Sequence, residues 1–167
     1  MRKELKNVKT GLALVLLGLA FGIGMGISFG VNEDAYKTYI DETVAAHPEI
    51  HDAESRDKIW RYAQRAHFHA TGIAAFSLGL IFLVMFTNMR AKLKIVSSIF
   101  ISLSGLYPLS WFSMFLLAPT MGRDAAHHHY LTEMLTYVGV SGLLIGFFLL
   151  IGNLFFGLFD EDAGADL

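Results

Sequence analysis

Four apolar runs, Gly11 to Val31, His67 to Thr87, Ile95 to Ala118 and Leu131 to Phe159, constrain this chain more than anything else in it. A run of about 20 apolar residues crosses a hydrocarbon core of roughly 30 Å as a helix, and in lipid a helix satisfies its own backbone. The expected fold is therefore all-α: a polytopic integral membrane protein, a four-transmembrane-helix bundle forming one domain over 1–167. The fourth run is long enough to tilt or protrude. An even number of crossings puts both termini on one side.

Composition agrees. The chain is 54% apolar, its net charge is only -2, and its charged residues other than Glu133 fall outside the four runs. Arg2, Lys3, Lys6 and Lys9 flank the first run, and Arg90, Lys92 and Lys94 fill the short gap after the second. By the positive-inside rule that side is cytoplasmic, as in a bacterial inner (plasma) membrane. The first run is expected to be a retained helix, because it is longer than a signal-peptide core and no small-x-small pattern closes it.

Several chemistries are excluded at this level. The chain has no cysteine, which removes disulfides, iron–sulfur clusters and thiolate metal sites. No basic patch indicates nucleic acid, and neither a nucleotide-binding glycine loop nor a serine nucleophile elbow is present.

The connection over 32–66 reads as a short helical extracytoplasmic segment. Asn32 caps a helix with Glu33 and Asp34 in its first turn, and Tyr36, Tyr39, Ile40 and Val44 recur at helical spacing. This predicts an amphipathic helix on the interface with its tyrosines at headgroup level. Helical pattern resumes near Asp52, with Glu54 and Lys58, then Asp57 and Arg61, as opposite charges four apart, and runs unbroken into the second span. Tyr107 and Pro108 predict a kink in the third span, with Ser104 or Ser110 satisfying freed backbone groups. Trp111 reads as a packing or anchoring residue. The acidic stretch 160–167 reads as a solvated, flexible end.

All seven histidines fall on the side opposite the basic flanks. His67 and His69 open the second span and, at 100° per residue, point about 200° apart. His67 lies along a face of small residues, Ala70, Thr71 and Ala74, and His69 over Ile73, Phe76 and Leu80. His127, His128 and His129 precede the fourth span, His128 above Gly139, Gly142 and Gly146, and His129 four residues from Glu133. A carboxylate just inside a span is costly unless paired, solvated or coordinating, which singles out Glu133.

Imidazole and carboxylate ligands suit copper, zinc or iron. The first expectation is thus a metal ion near the extracytoplasmic face, held by His67, His69, His128, His129 and Glu133, with His47, His51 and His127 as weaker ligands, serving metal handling or redox chemistry. The alternative is haem b between the second and fourth helices on two histidines, with Arg61 and Arg65 as contacts for an anion or propionate, in an electron-transfer protein. The third is a cofactor-free accessory subunit of a membrane complex, or a histidine-based pH sensor. The expected surroundings are the lipid bilayer and a membrane-protein partner or second copy, reached through glycine faces such as Gly18, Gly22, Gly26 and Gly30.

Overall fold

The computed structural model describes residues 2–160, all in helices or short connections apart from one isolated bridge, Met89 with Asp160. In chain order these are α1 (Arg2–Ala46), α2 (Ser55–Phe86), α3 (Ala91–Ser102), a 3-10 turn (Leu103–Gly105), α4 (Leu106–Met121), α5 (Arg123–His127) and α6 (Tyr130–Phe156). Four stretches, Lys3–Ala46, Ser55–Phe86, Ala91–Met121 and Tyr130–Phe156, are long and apolar enough to cross a membrane. The chain is an integral membrane protein by that criterion, with apolar side chains such as Leu17, Ile27, Phe148 and Phe155 on its periphery for lipid to cover. The bundle packs α1 on α2 and α3, α2 on α4, and α6 on α3 and α4.

Glycine decides how closely these helices approach. A Cβ on Gly139 would lie 2.8 Å from the Tyr107 backbone nitrogen, and one on Gly142 would lie 2.6 Å from Leu103 Cβ. On α1, Gly22 faces Ala70 and Thr71, and Gly26 faces the His67 ring. Most of the glycines that permit close contact are therefore used within the chain. Gly18 and Gly30, expected on the same ladder, have nothing within 4 Å of an added Cβ. Steps of four residues rotate about 40° around a helix, so the ends of the ladder drift off the contact.

The third span passes through a 3-10 turn where a kink was expected. The 3-10 turn precedes α4, so Pro108 falls in the first helical turn, where a missing N–H removes no intrahelical bond. Ser104 shares a 2.8 Å hydrogen bond with Ser77 of α2, and the Ser110 hydroxyl donates to the Tyr107 carbonyl at 2.7 Å.

Two apolar clusters divide the molecule along its length. One, at the level of Val15, Ile81, Ile101 and Leu150, ties α1, α2, α3 and α6 together. The other gathers Ile40, Val44, Ile59, Ala63, Phe115, Ala118 and Ala126, with Phe29, Tyr36 and Trp60 around it. This second cluster differs from the expected interfacial helix. α1 continues to Ala46 with a break at Asn32 (φ -126°, ψ 27°), and its extension stands against α2 and the end of α4. Asparagine breaks a helix readily because its side chain competes for backbone groups. Tyr36 turns inward, bonding Ser28 at 2.6 Å and stacking on Phe29, while Tyr39 stays exposed. The apolar end of α4 thus fills a helical cap. Arg56 to Asp41, 3.4 Å, and Arg123 to Asp52, 2.5 Å, close its rim.

At the opposite end the first turn of α1 and the segment after α6 both reach the connection between α2 and α3 and the start of α3. Lys94, 5% exposed, donates to Glu4 at 2.5 Å and to the Met85 carbonyl at 3.2 Å. The Lys94 hydrogen bond holds the Glu4 carboxyl below its usual range. α6 stops at Phe156 rather than continuing to Phe159, because Gly157 takes a left-handed conformation (φ 61°) and its N–H returns to Asn153. The Asn153 amide then holds Leu158 and Asp160, each at 2.7 Å. The rest of the acidic stretch, 161–167, lies outside the described residues.

Candidate functional site

The histidines gather at the cap end of the bundle but face different neighbours. His67 inserts between α1 and α2: its Nδ1–H donates to the Gly22 carbonyl at 2.8 Å, and its ring lies where a Gly26 side chain would be. His69 donates from Nδ1 to the Arg65 carbonyl at 2.8 Å and sets its ring between Tyr107 and Trp111, 5.3 and 5.8 Å away. His51 caps α4, donating from Nε2 to the Pro119 carbonyl at 2.9 Å, which leaves its buried Nδ1 unpartnered. His47 lies 3.7 Å from Glu49 in the connection before α2.

The triplet divides its roles in the same way. His129 has extended backbone and is the N-cap of α6, its Nδ1 accepting from Leu131 N–H at 3.3 Å. Because the helix begins only at Tyr130, His129 and Glu133 do not share a helical face. Glu133 meets His128 instead: Nδ1–H donates to Oε1 at 3.2 Å, while Asp124 lies 3.9 Å from the other ring nitrogen. His127 packs edge-on against His128 with ring centres 4.8 Å apart.

This arrangement corrects the expectation of copper, zinc or iron. Among the described residues no three His, Asp or Glu side chains come together so as to hold a metal ion. The physical reason is that α1 and α4 each claim a histidine: His67 turns to Gly22, His69 to the α4 aromatics, and His129 is spent on a helix cap. His67, on α2, faces α1, and His128, before α6, faces Glu133. Arg61 is exposed on α2, and Arg65 lies 4.8 Å over the Trp111 ring as a cation–π contact.

What remains is a cleft of about 160 Å³ between α4, α5 and α6. Glu133, His127 and His128 line its outer part, and Tyr107, Ser110, Trp111, Met114, Thr132, Thr136 and Tyr137 the rest. Ser113 and Thr132, sharing a 2.9 Å hydrogen bond, tie its two walls together, and Thr136 spends its hydroxyl on the Thr132 carbonyl at 2.8 Å. The Trp111 indole N–H is buried without an acceptor. Sequence reasoning assigned Tyr107 to a kink and Trp111 to anchoring, and passed over Tyr137. The available signal was the spacing of Tyr107 and Trp111, four apart and so on one face, opposite Gly139 and Thr136.

No protein-family model matches the chain, and neither the curated proteins nor the solved structures contain a match to it.

Proposed function

We propose that this chain is a small membrane-embedded binding protein whose histidine and carboxylate cleft, on the extracytoplasmic side, receives a small polar molecule or the head of an amphiphile. One observation carries the reading: Glu133 and His128 meet three aromatic rings around open volume, whereas the other hollow along α6, beside Phe100, Leu103 and Ile145, has no charged group on its lining. The orientation rests on the basic residues Lys3, Lys6, Lys9, Arg90 and Lys92 around the opposite end. In this cysteine-free chain, Ala125→Cys should react with an impermeant maleimide from outside the cell and Lys92→Cys should not.

Thr136→Phe tests the cleft by filling it. Purified protein is screened by thermal shift against small amines, alcohols, carboxylates and quinols. A stabiliser of the wild type to which a folded Thr136→Phe variant no longer responds supports the proposal. Failure of every class to stabilise the wild type, or an undiminished response in the variant, refutes it.

A second reading, an accessory subunit of a membrane assembly, is favoured by Gly72 and Gly79 on the exposed face of α2, where an added Cβ meets nothing within 4 Å. Gly79→Ile should then prevent crosslinking to a partner or a second copy while leaving the monomer folded.

A further inference from the structure

We propose that the group bound in the α4–α6 cleft is an organic ammonium cation, free or as the head of a lipid; this rests on the cleft being the binding site. Three electron-rich rings, Tyr107, Trp111 and Tyr137, and the thioether of Met114 line one small space with the Glu133 carboxylate. Glu133 is the single acidic side chain on that lining. Aromatic faces attract a cation through the ring quadrupole, and a substituted ammonium sheds its hydration at lower cost than a bare ion. A carboxylate beside those faces neutralises the charge inside a low-dielectric boundary.

Asp124 and the two histidines near the cleft fit that assignment, and Arg65 opposes it. Asp124 stands 3.9 Å from His128 and adds negative potential at the mouth. His128 donates to Glu133, holding the carboxylate at the cleft wall, and His127 packs edge-on against His128 rather than pairing with the acid. Arg65, which does not line the cleft, lies over the Trp111 ring at 4.8 Å. That guanidinium repels a bound cation and would attract an anion, so its removal reads the sign of the ligand's charge. The volume, about 160 Å³, accepts a trimethylammonium or ethanolammonium group and leaves an acyl chain to lie outside along α4 and α6.

The probes are choline and ethanolamine, with 3,3-dimethylbutan-1-ol as the uncharged isostere of choline, titrated into protein in maltoside micelles. The chain has two tryptophans, so Trp60→Phe leaves Trp111 as the reporter. Saturable quenching by choline is expected, with little response to the isostere. Glu133→Gln should weaken choline binding about tenfold. Arg65→Gln, in a folded protein, should strengthen it about two- to threefold. Short-chain phosphatidylcholine acting far below the concentration of free choline assigns the lipid head as the source, and equal potency assigns the free amine. Equal response to choline and its isostere overturns the charge assignment while leaving the cleft as a binding site. Absence of any Trp111 response to the ammonium probes, or a fall in affinity in Arg65→Gln, overturns the assignment outright.

Discussion

Replacing Gly146 with alanine should separate helices that now touch. An added Cβ would stand 2.6 Å from Ile101 Cγ1, 2.8 Å from the Ile101 nitrogen and 2.9 Å from the Ser97 carbonyl oxygen. Non-bonded carbons settle at about 3.5–4.0 Å, so the shortfall at the two backbone atoms is roughly 0.6 Å or more. Neither atom can swing aside as a side chain could. α6 must therefore move away from α3, and the Ser97 hydroxyl, now donating to the Gly146 carbonyl at 3.1 Å, loses its partner while buried. Overpacking costs about 1–3 kcal/mol and a buried unpaired hydroxyl about 1–3 kcal/mol, giving about 2–6 kcal/mol together. Gly79→Ala is the control: it meets nothing within 4 Å, and its helix propensity should shift stability by no more than about 1 kcal/mol, towards the folded state. Reversible unfolding in mixed maltoside and dodecyl sulfate micelles, followed by tryptophan emission, measures both. A Gly146→Ala protein within about 0.5 kcal/mol of wild type, or one matched by Gly79→Ala, would refute the close-contact account.

Gly26→Ala would place a Cβ 2.6 Å from His67 Cε1, so it should displace the ring and destabilise by about 1–3 kcal/mol. In a His67→Ala background the same methyl has room, and unfolding of the double variant should cost at least about 1 kcal/mol less than the sum of the singles. Lys94→Met should destabilise by about 1–3 kcal/mol at pH 7, allowing for the partial exposure of Glu4. Because the Glu4 carboxyl is held low by Lys94, that contribution is full above the ordinary value of about 4.3 and is lost as pH falls through the depressed value; melting curves of the two proteins should converge in acid. Asp52 is held low first by the Ser55 hydroxyl and then by Arg123, so its anchoring of the connection before α2 likewise holds at neutral pH and is lost in acid. Amide exchange at 50–55, corrected for intrinsic rate, should be faster in Asp52→Asn than in wild type at pH 7 and equal at pH 3; equal rates at pH 7 would contradict that role.

The candidate site was legible in part. Glu133 stood out because a carboxylate at the start of an apolar run needs a partner, and in the structure it has one in His128. Which histidine that would be depended on where α6 begins. Placing the N-cap at His129 removes that residue from the helical face and brings its neighbour to the acid instead, a one-residue matter that apolar periodicity does not resolve. The 200° separation of His67 and His69 was legible, but which neighbours those opposite faces of α2 meet, α1 and α4, was not.

By itself the amino-acid sequence determined that the chain is helical and has four helices long and apolar enough to cross a membrane, because length and apolarity are properties of a segment and lipid leaves the backbone little choice. It also marked the place before Pro108 where the third span passes through a 3-10 turn, since a first helical turn is where a proline is tolerated. Tertiary structure alone decided that the end of α4 fills a cap with the extensions of α1 and α2, that glycines on α1 and α6 are used inside the bundle, and that an aromatic and acidic cleft opens between α4 and α6. Those outcomes depend on which face of each helix meets which neighbour, and a run that is apolar all round carries no record of that choice.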